Sequence, residues 1–152
     1  IGTTTVTCTA RDASGNERIC TFTVTRAPLS FTGFLPPLGG ADATGGNYYD
    51  PLRTFKLGSV VPIKFTAACD GAPVLTGVHT LQLVKWTSFT DSDPPIDATP
   101  RDAATSGNQF RLTGSEWHFN LDTKVSGYGQ GKWEIRATLS DGSVHNAWIQ
   151  LK

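Results

Sequence analysis

The chain has 152 residues, 13 acidic and 13 basic side chains, 16 Gly, 9 Pro, 3 Cys and no Met. Balanced charge offers no basic stripe for nucleic acid, and no apolar run approaches the roughly 20 residues that span a bilayer. Gly, Pro and many Thr beside few long helix formers describe short strands joined by turns, so the composition reads as all-β.

The first 26 residues show strict alternation. Val6, Cys8 and Ala10 alternate with Thr5, Thr7 and Thr9, and Cys20, Phe22 and Val24 alternate with Thr21, Thr23 and Thr25. Period-2 patterning with β-branched residues on the wet side predicts two half-buried strands. Between them "DASGNE" has turn chemistry, with Gly15 free to take a positive φ. Setting Asp12 against Asn16 places Val6 opposite Phe22 and Cys8 opposite Cys20, and gathers the apolar residues on one face. A Cys8–Cys20 bridge then spans the hairpin, or each cysteine pairs with a strand outside it; the register leaves both open.

The stretch "GTTTVTCTARDASGNERICTFTVT" resembles the C-terminal end of a hyalin repeat (HYR) domain, an immunoglobulin-like extracellular module. The resemblance covers residues 1–26 and implies cysteines bonded to earlier strands, which are not in this chain. On this reading the opening is the last hairpin of an incomplete sandwich. A lone two-stranded hairpin is marginal in water, so Val6, Phe22 and Val24 are the expected docking or assembly contacts.

Residues 27–30 read as a linker. Beyond it lie a strand near Phe31 to Leu35, a long Gly- and Pro-rich loop, and a turn at Leu57 to Ser59 before a strand from Val60 to Ala68. Pro62 has no N–H for a ladder, which predicts an edge or bulge position. Lys64, pointing away from Ile63 and Phe65, reads as an edge lysine that blocks unwanted pairing. "VHTLQLVKWTSF" is a further strand and "TDSDPPIDATPRDAATSGN" a surface loop. "QFRLT", "EWHFNLDT", "KWEIRATL" and "VHNAWIQLK" follow at sandwich-like intervals. In the last pair, Ala137 is expected opposite Ala147 and Ile135 opposite Ile149, with Trp133, Ile135, Ala137, Leu139, Ala147, Ile149 and Leu151 in the core. Arg136 and Trp148 then stack outside.

The region from about Phe31 to Lys152 resembles the bacterial PxKF domain, through "KLGSVVPIKF" with Pro62, Lys64 and Phe65, "GNQFRLTGSEWHFNLDTK" and the terminal "LSDGSVHNAWIQLK". The resemblance implies an immunoglobulin-like sandwich near the end of a secreted or surface protein, often after hyalin repeats, with no catalytic activity assigned to the family.

Candidate chemistry is sparse. His79, His118 and His145 stand singly, without metal-site spacing, and no serine occupies a strand-to-helix elbow. Asp91, Asp93 and Asp97 form a weak Ca²⁺ candidate, short of the six to eight oxygens that ion takes; no cofactor is expected. Cys69, beside the "DGAP" turn, is either a buried thiol or a partner in an intermolecular bridge. Among the aromatics, Tyr48, Tyr49 and Trp148 are the ones expected outside, where flat rings suit sugar stacking.

The expectation is therefore an all-β, immunoglobulin-like antiparallel sandwich over residues 31–152, preceded by the HYR-type hairpin. Its expected role is that of a non-catalytic extracellular structural or adhesive module. The hairpin is a remnant of a preceding repeat, docks on its own body, or completes a sheet in a second copy, head to tail, as a filament. Surface glycan is the alternative partner; no nucleic acid and no membrane insertion are expected.

Overall fold

The computed structural model describes residues 2–102, 105–125 and 127–152. Among the described residues thirteen strands form: β1 (Gly2–Arg11), β2 (Glu17–Arg26), β3 (Ser30–Phe34), β4 (Arg53–Phe55), β5 (Val60–Cys69), β6 (Ala72–Pro73), β7 (Thr80–Ser88), β8 (Asp91–Ser92), β9 (Ile96–Asp97), β10 (Arg111–Thr113), β11 (Glu116–Asp122), β12 (Gly131–Thr138) and β13 (Val144–Leu151). The architecture is all-β, as composition predicts. One short 3-10 turn, Asp42–Thr44, interrupts the long loop after β3.

Strands β3 to β13 build a sandwich. One sheet runs β10-β11-β5-β3 with β6 also on β5, and the other runs β4-β13-β12-β7-β8 with β9 also on β7. Alternation explains the two layers. In β5, Val61, Ile63, Phe65 and Ala67 turn inward; in β11, Trp117, Phe119 and Leu121 meet them from the same sheet. Leu81, Leu83, Trp133, Ile135, Ala147 and Ile149 face them from the other sheet, all essentially without solvent contact. Burying one such side chain contributes about 1.5–3 kcal/mol, so period-2 patterning both makes the strands and closes the layers.

The terminal hairpin has the expected core but another register. Ile135 lies opposite Ala147, Ala137 opposite His145 and Trp133 opposite Ile149. The slip is two residues, which keeps every side chain on its face. Its cause is the turn: Leu139 N–H donates to Ser143 O at 2.9 Å and Gly142 sits at φ 88°, leaving Ser140, Asp141 and Gly142 as the loop. Arg136 therefore faces Asn146 rather than Trp148, and its guanidinium binds Glu134 at 2.8 Å in place of the expected indole stack.

Strand β5 is interior, not an edge. β11 covers Val60 to Phe65 on one side and β3 pairs with Phe65, Ala67 and Ala68 on the other. Pro62 lies in the half that β3 does not reach, so its missing N–H costs no ladder bond to that strand. Lys64 is not on an open edge: its carbonyl accepts from Leu35 N–H at 2.8 Å and its ammonium lies 3.8 Å from Glu116. Part of the expected surface loop also joins a sheet, since β8 and β9 pair with β7.

Strands β1 and β2 pair with each other in the register expected from their pattern, with Val6 opposite Phe22 and Cys8 opposite Cys20. Asp12 holds the turn, accepting from Ser14 N–H and Asn16 N–H at 2.9 Å each and from the Asn16 side chain at 2.8 Å. Those bonds, the Asn16 amide first, hold its carboxyl below the usual carboxylate range. No further strand joins this sheet among the described residues.

A truncation in each part separates the two. Phe65→Ala, at a ring with no exposure that packs against Phe31 and Phe110, is expected to cost about 3–5 kcal/mol in urea unfolding. Phe22→Ala, at a ring 51% exposed, is expected to change that unfolding free energy by less than about 0.5 kcal/mol.

Candidate functional site

Two constellations stand out on the body. The first is aromatic. The "GGNYYDPL" loop is pinned to β13 at one residue: Trp148 N–H donates to Gly45 O at 2.7 Å and Trp148 O accepts from Leu52 N–H at 2.8 Å. Asn47 Oδ1 accepts from Tyr49 N–H and Asp50 N–H at 2.9 and 3.0 Å, closing a tight Asx turn. Gly46 must be glycine, because at φ 80° an added Cβ would sit 2.5 Å from Leu52 N. The turn therefore presents Tyr48 and Tyr49 over the outer face of the second sheet.

There they join three other rings. Tyr48 meets Trp148 edge-on at 6.3 Å and Tyr49 edge-on at 5.4 Å; Tyr49 stacks on Phe89 at 5.2 Å, and Trp148 packs on Trp86 at 5.1 Å. Tyr49 and Phe89 are 72% and 57% exposed, whereas Tyr48, Trp86 and Trp148 are half-buried. Beneath them Glu134 is buried and accepts from Trp86 Nε1–H at 3.1 Å and from Arg136. The rings form a continuous strip anchored at its inner end and open at its outer end. Of the three residues expected outside, Tyr49 is exposed and Tyr48 and Trp148 lean over the sheet. Trp86 and Phe89 were not expected here: large aromatics in strands read first as core, although Trp86 shares the face of Gln82, and Phe89 belongs to the turn after β7.

The second constellation is polar. His145 Nδ1 lies 2.9 Å from Asp42 Oδ2 and His145 Nε2 lies 3.1 Å from Ser143 Oγ, the order of a hydrolytic triad. Its bonding is that of a tether. The Ser143 hydroxyl donates to Asp141 Oδ1 at 2.6 Å, so its proton is committed to that carboxylate rather than to the imidazole. The neighbouring amides that an oxyanion would need are spent, Ser143 N–H on Asp141 and Gly142 N–H on Leu139 O. Asp141 Oδ2 accepts from Leu29 N–H at 2.7 Å and the Phe31 ring stacks on His145 at 4.0 Å, so the cluster seats the start of β3 on the β12–β13 turn. No sequence spacing marks it, because Asp42 lies about a hundred residues from its partners.

The remaining candidates do not converge. His79 is fully buried against Trp117 and accepts from Ser140 N–H, and His118 bonds Glu116. Asp91 accepts from Thr87, while Asp97 accepts from Gln82 and Asn108. No group of three His, Cys, Asp or Glu that could hold a metal occurs among the described residues, so Asp91, Asp93 and Asp97 do not form the weak Ca²⁺ site considered from sequence. All three cysteines are free, Cys8 and Cys20 exposed in a facing pair and Cys69 at the Asp70–Gly71 turn.

Comparison with known families adds one finding. Residues 1–26 match the HYR domain. HYR domains are extracellular, non-enzymatic modules of the adhesion type, and the match ends at Arg26, the last residue of β2. No curated protein and no solved structure matches the chain. No helix among the described residues is long and apolar enough to cross a membrane.

Acid should loosen this cluster in a defined order. Burial works to raise the Asp141 carboxyl, but bonds from Leu29 N–H, the Ser143 hydroxyl and Ser143 N–H outweigh it and hold the pKa at about 2, against 3.8 unperturbed. A depressed carboxylate stabilises the fold above its unfolded pKa and loses that contribution as pH falls toward its folded one. Burial also lowers the His79 pKa below 6.5, so stability begins to fall as the unfolded-state imidazole takes up protons. Urea unfolding of Asp141→Ala at stepped pH is expected to show a loss on the order of 2 kcal/mol at neutral pH. It should also lack the parent's decline between pH 3.8 and about 2.

Proposed function

We propose that the chain is a non-catalytic structural and adhesive module of a secreted or surface bacterial protein. It divides into the C-terminal hairpin of an HYR-type sandwich over residues 1–26, a linker over 27–30, and a PxKF-like immunoglobulin-fold body over 31–152. The HYR match supports the extracellular, adhesion-type setting. The PxKF reading rests on the order of its motifs and on the inward Ile63 and Phe65 of "PIKF" within a sandwich.

The observation that carries the mechanism is the hairpin itself. β1 and β2 pair only with each other among the described residues, and Phe22 and Val24 are 51% and 52% exposed on the face they share with Val6. Covering those groups is favourable by ~25 cal/mol per Å², and two unpaired strand edges supply backbone bonds to whatever covers them. The cover is the sheet of a second copy, joined head to tail. β3 has no partner on its side away from β5 among the described residues, which supplies a receiving edge. A contact of this heterologous kind does not close and propagates as a filament. Cys8 and Cys20, directly opposite, form a bridge under oxidising conditions and stiffen the donated hairpin.

Light scattering with negative-stain microscopy tests this under non-reducing conditions. The parent is expected to form filaments as concentration rises, and Phe22→Thr/Val24→Thr, which keeps β propensity but removes the apolar strip, is expected to stay monomeric. A parent that stays monomeric across the range overturns strand donation. Intact mass should show the loss of two hydrogens on oxidation, and peptide mapping should join Cys8 to Cys20.

A further inference from the structure

We infer that the aromatic strip on the outer face of the second sheet is a binding site for a neutral oligosaccharide. The inference stands apart from the hairpin and rests on the body alone. Trp86, Trp148, Tyr48, Tyr49 and Phe89 come from three separate segments and touch in an unbroken series, with the two most exposed rings, Tyr49 and Phe89, at the open end. A pyranose presents apolar C–H faces ringed by hydroxyls, so it wants flat rings bordered by polar groups. The strip has that border: Thr87, Ser88 and Thr90 flank Phe89 in sequence, and their hydroxyls are bonded to near neighbours that hold them in place.

Positioning comes from the fold rather than from the ligand. The Asn47 turn and the two backbone bonds to Trp148 fix the tyrosine loop, and Glu134 fixes the Trp86 indole from below. A surface built in advance loses little freedom when it binds.

Charge decides the class of sugar. Asp50, Asp91 and Asp93 are exposed beside the strip and form no ion pair among the described residues. Of the cations on the same face, Arg136 is neutralised by Glu134, and Lys132, across from Trp86, reaches Gln150 at 3.4 Å. The net negative border repels sulfated and uronic polymers and accepts an uncharged one.

Native affinity electrophoresis of the full chain in gels carrying xyloglucan, hydroxyethyl cellulose, galactomannan or heparin tests the inference. At least one neutral polymer is expected to retard the protein and heparin is not. Tyr49→Ala/Phe89→Ala is expected to weaken retardation about tenfold or more, while Tyr49→Phe, which keeps the ring, retains it. Both truncated side chains are mostly in solvent, so the thermal midpoint should match the parent; if it does not, Tyr49→Ser alone is the variant to use. Retardation by heparin only, none by any neutral polymer, or retardation that the double variant keeps would each overturn the assignment. So would a concentration-dependent rise in mass that the double variant abolishes, which would make the strip a protein contact.

Discussion

The inner faces of the two body sheets share one apolar layer, and everything else on the molecule is placed by it. Phe65 and Phe119 from one sheet and Trp133, Ile135 and Ile149 from the other have essentially no exposure. Because side chains alternate along a strand, fixing these residues inward forces their neighbours outward. Glu134 and Trp148 stand on the outer face for that reason, flanking the buried Trp133, Ile135 and Ile149 in sequence. The aromatic strip is thus a consequence of core packing: once β7, β12 and β13 are seated, Trp86, Glu134 and Trp148 have nowhere else to go. The tyrosine loop then closes over them through its bonds to the Trp148 backbone.

The junction follows from the same layer. The β12–β13 turn is set by the strands it joins, and its Asp141 takes the Leu29 amide just before β3 begins. Ser143, His145 and Asp42 extend that hold to the 3-10 turn, and Phe31 lies flat on the imidazole. An arrangement that resembles catalytic machinery in its atom order is here a fastening, because the hydroxyl proton is committed to a carboxylate and the neighbouring amides are occupied. The fastening stops at Leu29. Upstream of it, among the described residues, the hairpin is held by contacts within itself: its ladder, the Asp12 turn, the Thr3–Thr25 hydroxyl contact and the Arg11–Glu17 pair.

Period-2 patterning made the body's fold class, its inward residues and the register of the first hairpin legible in the sequence, since each depends on neighbours a few positions apart. What escaped depended on distance or on turn geometry. The register of the last hairpin turned on whether Ser140, Asp141 and Gly142 alone formed the loop, and a slip of two leaves the hydrophobic pattern unchanged. Pro62 and Lys64 suggested an edge because their local chemistry suits one, yet β3, returning from residues 30–34, covers part of that strand. Trp86 looked like core because large aromatics in strands are usually buried; its outward position came from the face it shares with Gln82 and Val84. The Asp42–His145 pair had no local signal at all. The site was accordingly half visible: Tyr48, Tyr49 and Trp148 stood out, while Trp86 and Phe89 needed the fold.

The central claim is that an autonomous sandwich carries a hairpin whose apolar face and edges are free to meet a partner. Amide hydrogen exchange read by mass spectrometry, on dilute monomeric chain, tests it most directly, because exchange reports the opening free energy of each segment. Amides of Gly2–Arg11 and Glu17–Arg26 should exchange orders of magnitude faster than those of β5, β12 and β13. Hairpin amides as protected as the body's in the monomer would mean that the hairpin is already docked at home, and would contradict the account.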